Sequence, residues 1–143
     1  MNIPARFAAF PILVLAACAS ASHGDANKSS AQVQIDRGQG VFSHSCARCH
    51  GASGQGTDKA PALVGIQKGA LPLDPPASRQ FRKTQFRTAL DVAQFVVPNM
   101  PPDPAPRLSG DDAWAVLAFA LHANGVTLSK PVGPDNAASI VLH

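Results

Sequence analysis

The chain has 143 residues, with twelve Lys plus Arg against nine Asp, no Glu, and a formal net charge of +3. That length suits one domain rather than two, and so modest a charge gives no argument for a nucleic-acid partner. Thirteen Pro and eleven Gly, beside seven Phe, one Trp and no Tyr, give a loop-rich chain whose own core is small and marginal.

Residues 1–17 read as an export signal. Arg6 supplies the positive start, and Phe7 to Ala17 form an eleven-residue apolar run. That is the length of a signal's apolar region and too short to span a bilayer. Two cleavage readings stand. Leu15-Ala16-Ala17-Cys18 resembles a bacterial lipobox, in which Cys18 is lipidated and becomes the mature N-terminus. Ala19-Ser20-Ala21 is an A-x-A site for ordinary signal peptidase. The lipobox reading gives the third cysteine a role and is favoured. Either way the mature protein is expected in the periplasm, with a lipid anchor in the first case. Residues 18–32 then read as a flexible tether, too polar to bury a core. Beyond an anchored Cys18, residues 19–32, about fourteen, reach roughly 20 Å on average. An ordinary disordered terminus is the alternative.

The folded domain is expected over 33–125. Asp36 is an N-cap candidate for a helix through Gly38, Val41, Phe42 and Ser45. Gly38 costs about 1 kcal/mol against Ala inside a helix, which makes sense where a second helix crosses closely.

Cys46-Ala47-Arg48-Cys49-His50 follows. Two thiols three positions apart, with an imidazole directly after the second, form the attachment pattern of c-type haem. Each thiol adds to one haem vinyl group, and a short helical turn puts both sulfurs on one side. His50 then projects towards the iron as a proximal ligand. Zinc asks for four ligands, and processing leaves no other free cysteine. A thioredoxin-like pair needs a βαβ context that this sequence lacks.

Gly38, Phe42 and the Cys46 to His50 run resemble the first helix of a class I cytochrome c. The next stretch, GASGQGTDKAPALVG, continues the likeness. Gly51, Gly54 and Gly56 suit a tight loop. Pro61-Ala62-Leu63 resembles the family's proline-x-leucine, whose proline carbonyl accepts the N–H of the proximal imidazole. The resemblance extends over about residues 35–125. It implies an all-α, cytochrome c-like fold: three to five short helices wrapped around one covalently attached haem c, with long Pro/Gly-rich loops.

Residues 66–83 carry Pro72, Pro75 and Pro76, which argue against helix interior or strand centre. Arg79, Arg82, Lys83 and Arg87 form a basic cluster with no acidic residue among them. Arg79 and Arg82 are candidates for the haem propionates, because a guanidinium matches a carboxylate; the cluster also suits an acidic redox partner. Thr88 is a cap candidate for a helix through about Val97, ended by Pro98. The proline-rich loop beyond holds Met100. By the resemblance, Met100 is the second axial ligand, on a loop between the last two helices. The prolines around it reduce the loop's freedom before any bond forms. His23, His44 and His122 are rivals, none in the matching place.

The last helix is the clearest. Ser109 caps it, with Asp112 as a short capping box. Trp114, Leu117 and Leu121 recur at three and four, as do Val116, Phe119 and Ala120 beside them. Asn124-Gly125 supplies the stop. Val116 and Phe119 match the family's terminal helix, so Phe119 is expected against Gly38 and Phe42. Residues 126–143 form a C-terminal extension past the usual end of that fold. Ile140, Val141 and Leu142 are able to pack back onto the domain or to engage a partner subunit.

The resemblance implies an electron carrier, not an enzyme. Donors would be a periplasmic dehydrogenase or a bc-type complex, and a terminal oxidase would be an acceptor. Two other readings are carried: a haem-bearing subunit of a periplasmic dehydrogenase complex, and an open-haem enzyme or sensor, for which His122 is the one distal acid–base candidate.

Overall fold

The computed structural model describes residues 28–77, 82–102 and 105–143. Among the described residues four helices carry the fold: α1 (Ser30–Ser45), α2 (Ala47–His50), α3 (Ala89–Asn99) and α4 (Gly110–Ala123). Short 3-10 turns occupy Ile66–Lys68 and Ala137–Ser139. No strand occurs among the described residues; Thr88 and Val141 form one isolated antiparallel bridge. None of the described helices is long and apolar enough to cross a membrane.

The first helix begins earlier than expected. Ser29, not Asp36, is its cap, and the Ser29 hydroxyl accepts the Gln32 N–H at 3.2 Å. Residues 30–32 therefore belong to the helix rather than to the tether, and Ala31 is already buried at 1 % exposure. Asp36 instead braces the first turns from inside the helix. Its carboxylate accepts from Gln32 Nε2 at 2.7 Å and Lys28 Nζ at 2.9 Å.

α1 and α4 cross at Gly38. A Cβ on that glycine would lie 1.9 Å from the Ala115 carbonyl oxygen and 2.9 Å from Phe119 Cβ. One turn on, the Phe42 and Phe119 rings meet with centroids 5.1 Å apart and planes tilted by 43°. Gly38, Phe42 and Phe119 thus stand together at the crossing. The exposed side of the contact is closed by Arg37, whose guanidinium reaches Asp112 at 2.8 Å.

Ser109 caps α4, accepting the Asp112 N–H at 3.1 Å. The capping box expected there is only half made. The Asp112 carboxylate takes the Ser109 hydroxyl and the Arg37 guanidinium instead of returning to the Ser109 backbone. The complete box sits on α3. Thr88 Oγ1 receives the Asp91 N–H, and Asp91 Oδ2 accepts the Thr88 N–H at 2.8 Å. α3 also runs past its expected end at Val97, with Pro98 inside its last turn. A proline removes only its own N–H from the ladder, and the Met100 N–H closes the turn on the Val96 carbonyl at 2.8 Å.

Residues 126–143 fold back onto the domain. The Ala89 N–H donates to the Ile140 carbonyl at 2.9 Å, and the Leu142 N–H to the Arg87 carbonyl at 2.8 Å. Val132 is paired twice with the Gln34 amide at 2.8 Å. His143 Nε2 lies 2.9 Å from the Leu71 carbonyl. Val132 and Ala137 join Ile35, Phe86, Val92, Leu117 and Leu121 in one buried cluster. Trp114 packs against its edge, as a core residue would.

Candidate haem site

α1 ends where the chemistry begins. The Cys46 N–H still reaches the Phe42 carbonyl at 2.9 Å, yet Cys46 also starts α2. Its carbonyl accepts from both the Cys49 and His50 N–H groups, at 3.1 and 3.0 Å. One tight turn therefore gathers both sulfurs and the imidazole. The two thiols are free and half-buried. Burial pushes the Cys46 thiol up, and the neighbouring Cys49 adds to the effect.

His50 is 8 % exposed. Its Nδ1 stands 2.7 Å from the Pro61 carbonyl oxygen. A carbonyl only accepts, so the proton of the neutral ring belongs on Nδ1, and Nε2 keeps its lone pair. The loop that delivers Pro61 doubles back on itself. The Gly56 N–H returns to the His50 carbonyl at 2.8 Å, and the Leu63 and Val64 N–H groups both reach the Gly54 carbonyl. Gly56 has φ +85°, and a Cβ there would sit 2.7 Å from the Ala62 nitrogen, so only glycine fits this limb.

Met100 caps the C-terminal end of α3, in extended backbone and half-buried. Arg107 donates to the Pro98 carbonyl beside it, tying the proline-rich loop to the helix end. Arg82 is 5 % exposed. Its guanidinium lies over the Phe86 ring, 3.9 Å from the centroid, and Nη1 donates to the Pro72 carbonyl at 2.8 Å. Nη2 is buried with no hydrogen-bond partner among the described residues. A buried donor left over in this way is costly unless an acceptor arrives. Arg79 and Cys18 lie outside the described residues, as does His23.

The structure thus brings Cys46, Cys49, His50 and Pro61 into one cluster, with Phe42 reaching it from the helix crossing: a Cβ on Gly54 would come 3.6 Å from Phe42 Cζ. Met100 and Arg82 stand on separate elements, one after α3 and one before it. Sequence reasoning missed Asn124 as anything more than a helix stop. Its amide bonds the loop after Pro61, at Leu63 and Gly65; an amide-bearing residue just past a helix end is the one signal for it. Among the described residues, no three of His, Cys and Asp gather as a bare metal ion would require. The donor set fits haem: two thiols on one turn, an imidazole with a free Nε2, and a buried guanidinium whose Nη2 lacks an acceptor among the described residues.

A family model described as cytochrome c matches residues 35–124. No curated protein matches the chain. Among solved structures, the chain is similar to the crystal structure of the sulfane dehydrogenase SoxCD from Paracoccus pantotrophus, at 28% identity and a TM-score of 0.55. The likeness covers 76% of this chain and 52% of that one, so this chain spans about half the length of the protein that it resembles. The matched segment runs from the buried face of α1, through the Cys46 to His50 turn, to the end of α4. The chain belongs to the cytochrome c family, whose members carry covalent haem c and transfer electrons.

Proposed function

We propose that this protein is an exported monohaem carrier of single electrons, held by Cys46 and Cys49, with His50 and Met100 as the two axial ligands. The observation that supports the reading is the Nδ1 hydrogen bond from His50 to Pro61, which leaves the Nε2 lone pair free for a metal. When bound, haem supplies an iron that alternates between ferrous and ferric. The chain's own residues do the rest. Pro61 fixes the tautomer and direction of the imidazole. Met100, followed by prolines, offers a thioether with little freedom to lose. A neutral imidazole and a thioether favour the ferrous state and push the potential up. Arg82 offers its unpaired Nη2 to a propionate. With His50 and Met100 both holding the iron, no position would be left for a substrate, and exchange would proceed by contact.

The apolar N-terminal run and the Cys18 lipobox support export to the periplasm and a lipid anchor, which would raise the effective concentration of membrane partners. Donors are then a dehydrogenase or a bc-type complex, and a terminal oxidase is a suitable acceptor. The likeness to SoxCD favours a second reading, the haem-bearing subunit of a dehydrogenase complex. Chromatography of the native protein separates the two: a free carrier elutes alone, a subunit with its enzyme.

The first test is the visible spectrum, oxidised and reduced, before and after carbon monoxide. A low-spin reduced spectrum that carbon monoxide does not move, with a weak red methionine–iron band when oxidised, is expected. Met100→Ala should remove that band and open the iron to carbon monoxide. A wild-type spectrum that is high-spin and shifts with carbon monoxide would overturn the carrier in favour of an enzyme or sensor. Mass spectrometry of the mature N-terminus decides whether Cys18 is lipidated.

A further inference from the structure

We infer that Asn124 is a positioning residue for His50, acting through the loop that carries Pro61; the inference rests on His50 being an iron ligand. Asn124 caps the C-terminal end of α4. Its Oδ1 accepts the Gly65 N–H at 2.8 Å, and its Nδ2 donates to the Leu63 carbonyl at 2.7 Å and to the Ala120 carbonyl at 2.8 Å. The amide thus grips the loop at two residues of alternate register, as a neighbouring strand would, and anchors that grip on its own helix.

The grip matters because of what lies two residues upstream. Pro61 has no N–H, so it cannot hold its own peptide in place. The direction of its carbonyl is set by its neighbours. On one side the Ala60 carbonyl accepts the Thr57 N–H at 2.8 Å. On the other, Leu63 is held by the Gly54 carbonyl at 2.7 Å and by Asn124. Gly54 belongs to the same loop, whereas Asn124 ends a helix locked against α1 at Gly38. α1 leads straight into the turn that bears His50. The end of α1 therefore holds the imidazole, the end of α4 holds the carbonyl that orients it, and the helix crossing fixes one end against the other.

Only an amide fills this role. A carboxylate would keep the acceptor for Gly65 but lose the donor and face two carbonyl oxygens. Alanine would lose both arms. A loosened Pro61 carbonyl weakens its bond to Nδ1–H. The imidazole becomes a poorer electron donor, the ferric state is less favoured, and the potential rises.

The test uses the haem-loaded protein and Asn124→Ala, with Val132→Ala as a matched control. Val132 is buried at the far end of α1, bonded to Gln34. Two quantities are read: solvent exchange of the His50 Nδ1 proton by NMR in the reduced, diamagnetic state, and the reduction potential. Asn124→Ala should speed the exchange by about tenfold or more, since two hydrogen bonds that resist local opening are gone, and should raise the potential. Val132→Ala should lower the melting temperature while leaving both unchanged. If Asn124→Ala does not accumulate, Asn124→Asp is read in the same way. Wild-type exchange and potential in the variant that accumulates, or changes no larger than those in Val132→Ala, would overturn the inference while leaving His50 as ligand. A wild-type protein whose iron is not held by His50 would instead sink the ligand assignment.

Discussion

Gly38 and Gly40 lie two residues apart on α1 and should respond to alanine in opposite directions. A Cβ at Gly38 would stand 1.9 Å from the Ala115 oxygen and 2.5 Å from its carbonyl carbon. Real Cβ atoms keep beyond 3.0 Å, so α4 would have to retreat by more than an ångström. No side chain can swing aside, because the obstacle is backbone inside a helix. Overpacking of this kind costs about 1–3 kcal/mol. The retreat also loosens the Phe42–Phe119 pair, worth about 0.5–1.5 kcal/mol beyond its buried area. Alanine returns about 1 kcal/mol of helix propensity. The net loss for Gly38→Ala is about 0.5–3.5 kcal/mol, centred on about 2 kcal/mol, or about 8 °C in melting temperature for a domain of this size. A Cβ at Gly40 meets nothing within 4 Å, so Gly40→Ala should gain about 0.5–1 kcal/mol. Guanidinium unfolding of the ferric haem protein, followed by circular dichroism and by release of Trp114 fluorescence from haem quenching, measures both. A Gly38→Ala protein as stable as Gly40→Ala would refute the crossing.

Four further predictions concern the rest of the molecule. Thr88→Ala removes one arm of the capping box on α3 and should cost about 1 kcal/mol by urea midpoint; no change would mean that the box does not hold the helix. Burial raises the Asp91 carboxyl, but the Thr88 backbone and hydroxyl and the Arg87 backbone and charge outweigh it, so Asp91 sits below the usual carboxylate range. The stability this lends is complete above the unfolded value of about 3.9 and is lost as pH falls through the lower folded value. Asp91→Asn should therefore flatten the acid limb of the stability–pH curve, and an unchanged slope would contradict that bonding. Arg82→Leu removes a buried cation and should lower the potential, because ferric iron then gains relative to ferrous; a potentiometric titration at or above wild type would count against Arg82 as a propionate partner. Deleting residues 126–143 uncovers Ile35, Leu117 and Leu121 and discards buried Val132 with Leu128, Ile140 and Leu142. At roughly 1.5 kcal/mol for buried Val132 and about 1 kcal/mol for each of the three partly buried side chains the loss is about 4–5 kcal/mol, and a melting temperature within a few degrees of the full chain would show the extension to be dispensable.

What could be read from the sequence was local or strongly patterned. The Cys46 to His50 turn, the caps at Thr88 and Ser109, and the apolar strips of α4 are all written in adjacent residues. The Gly38–Phe119 crossing and the Pro61 carbonyl came through resemblance, and the geometry agrees with both. The failures have physical causes. Ser29 and Asp36 are equally good capping residues, and only the burial of Ala31 against the fold decides for Ser29. Pro98 reads as a stop, but a proline in the last turn forfeits a single hydrogen bond. Arg79, Arg82, Lys83 and Arg87 look alike as a basic cluster. The stack on Phe86 and the Pro72 carbonyl, which set Arg82 apart, depend on how the irregular loop folds back on itself, and no periodic pattern marks that. Asn124 pairs with residues 59 and 61 positions earlier, a separation no local pattern reveals.

The C-terminal extension shows how the protein reaches both proposed ligands with its own residues. Its last residues bond the N-terminal end of α3 through Arg87 and Ala89, and its apolar side chains join α3, α4 and α1 in one core. That core involves neither the Cys46 to His50 turn nor Met100. α3 is a short rigid helix, so fixing its start fixes its end, where Met100 stands. Asn124, at the end of α4, does the same for the carbonyl that orients His50. Under the proposed ligation, both ligand-bearing elements are therefore held by protein contacts remote from the metal. Such a site changes little in geometry when the iron changes charge, because its positions do not depend on the strength of the metal bonds. Small geometric change is what rapid single-electron exchange requires, and under that ligation the extension, which packs back onto the domain, would help the chain to supply it.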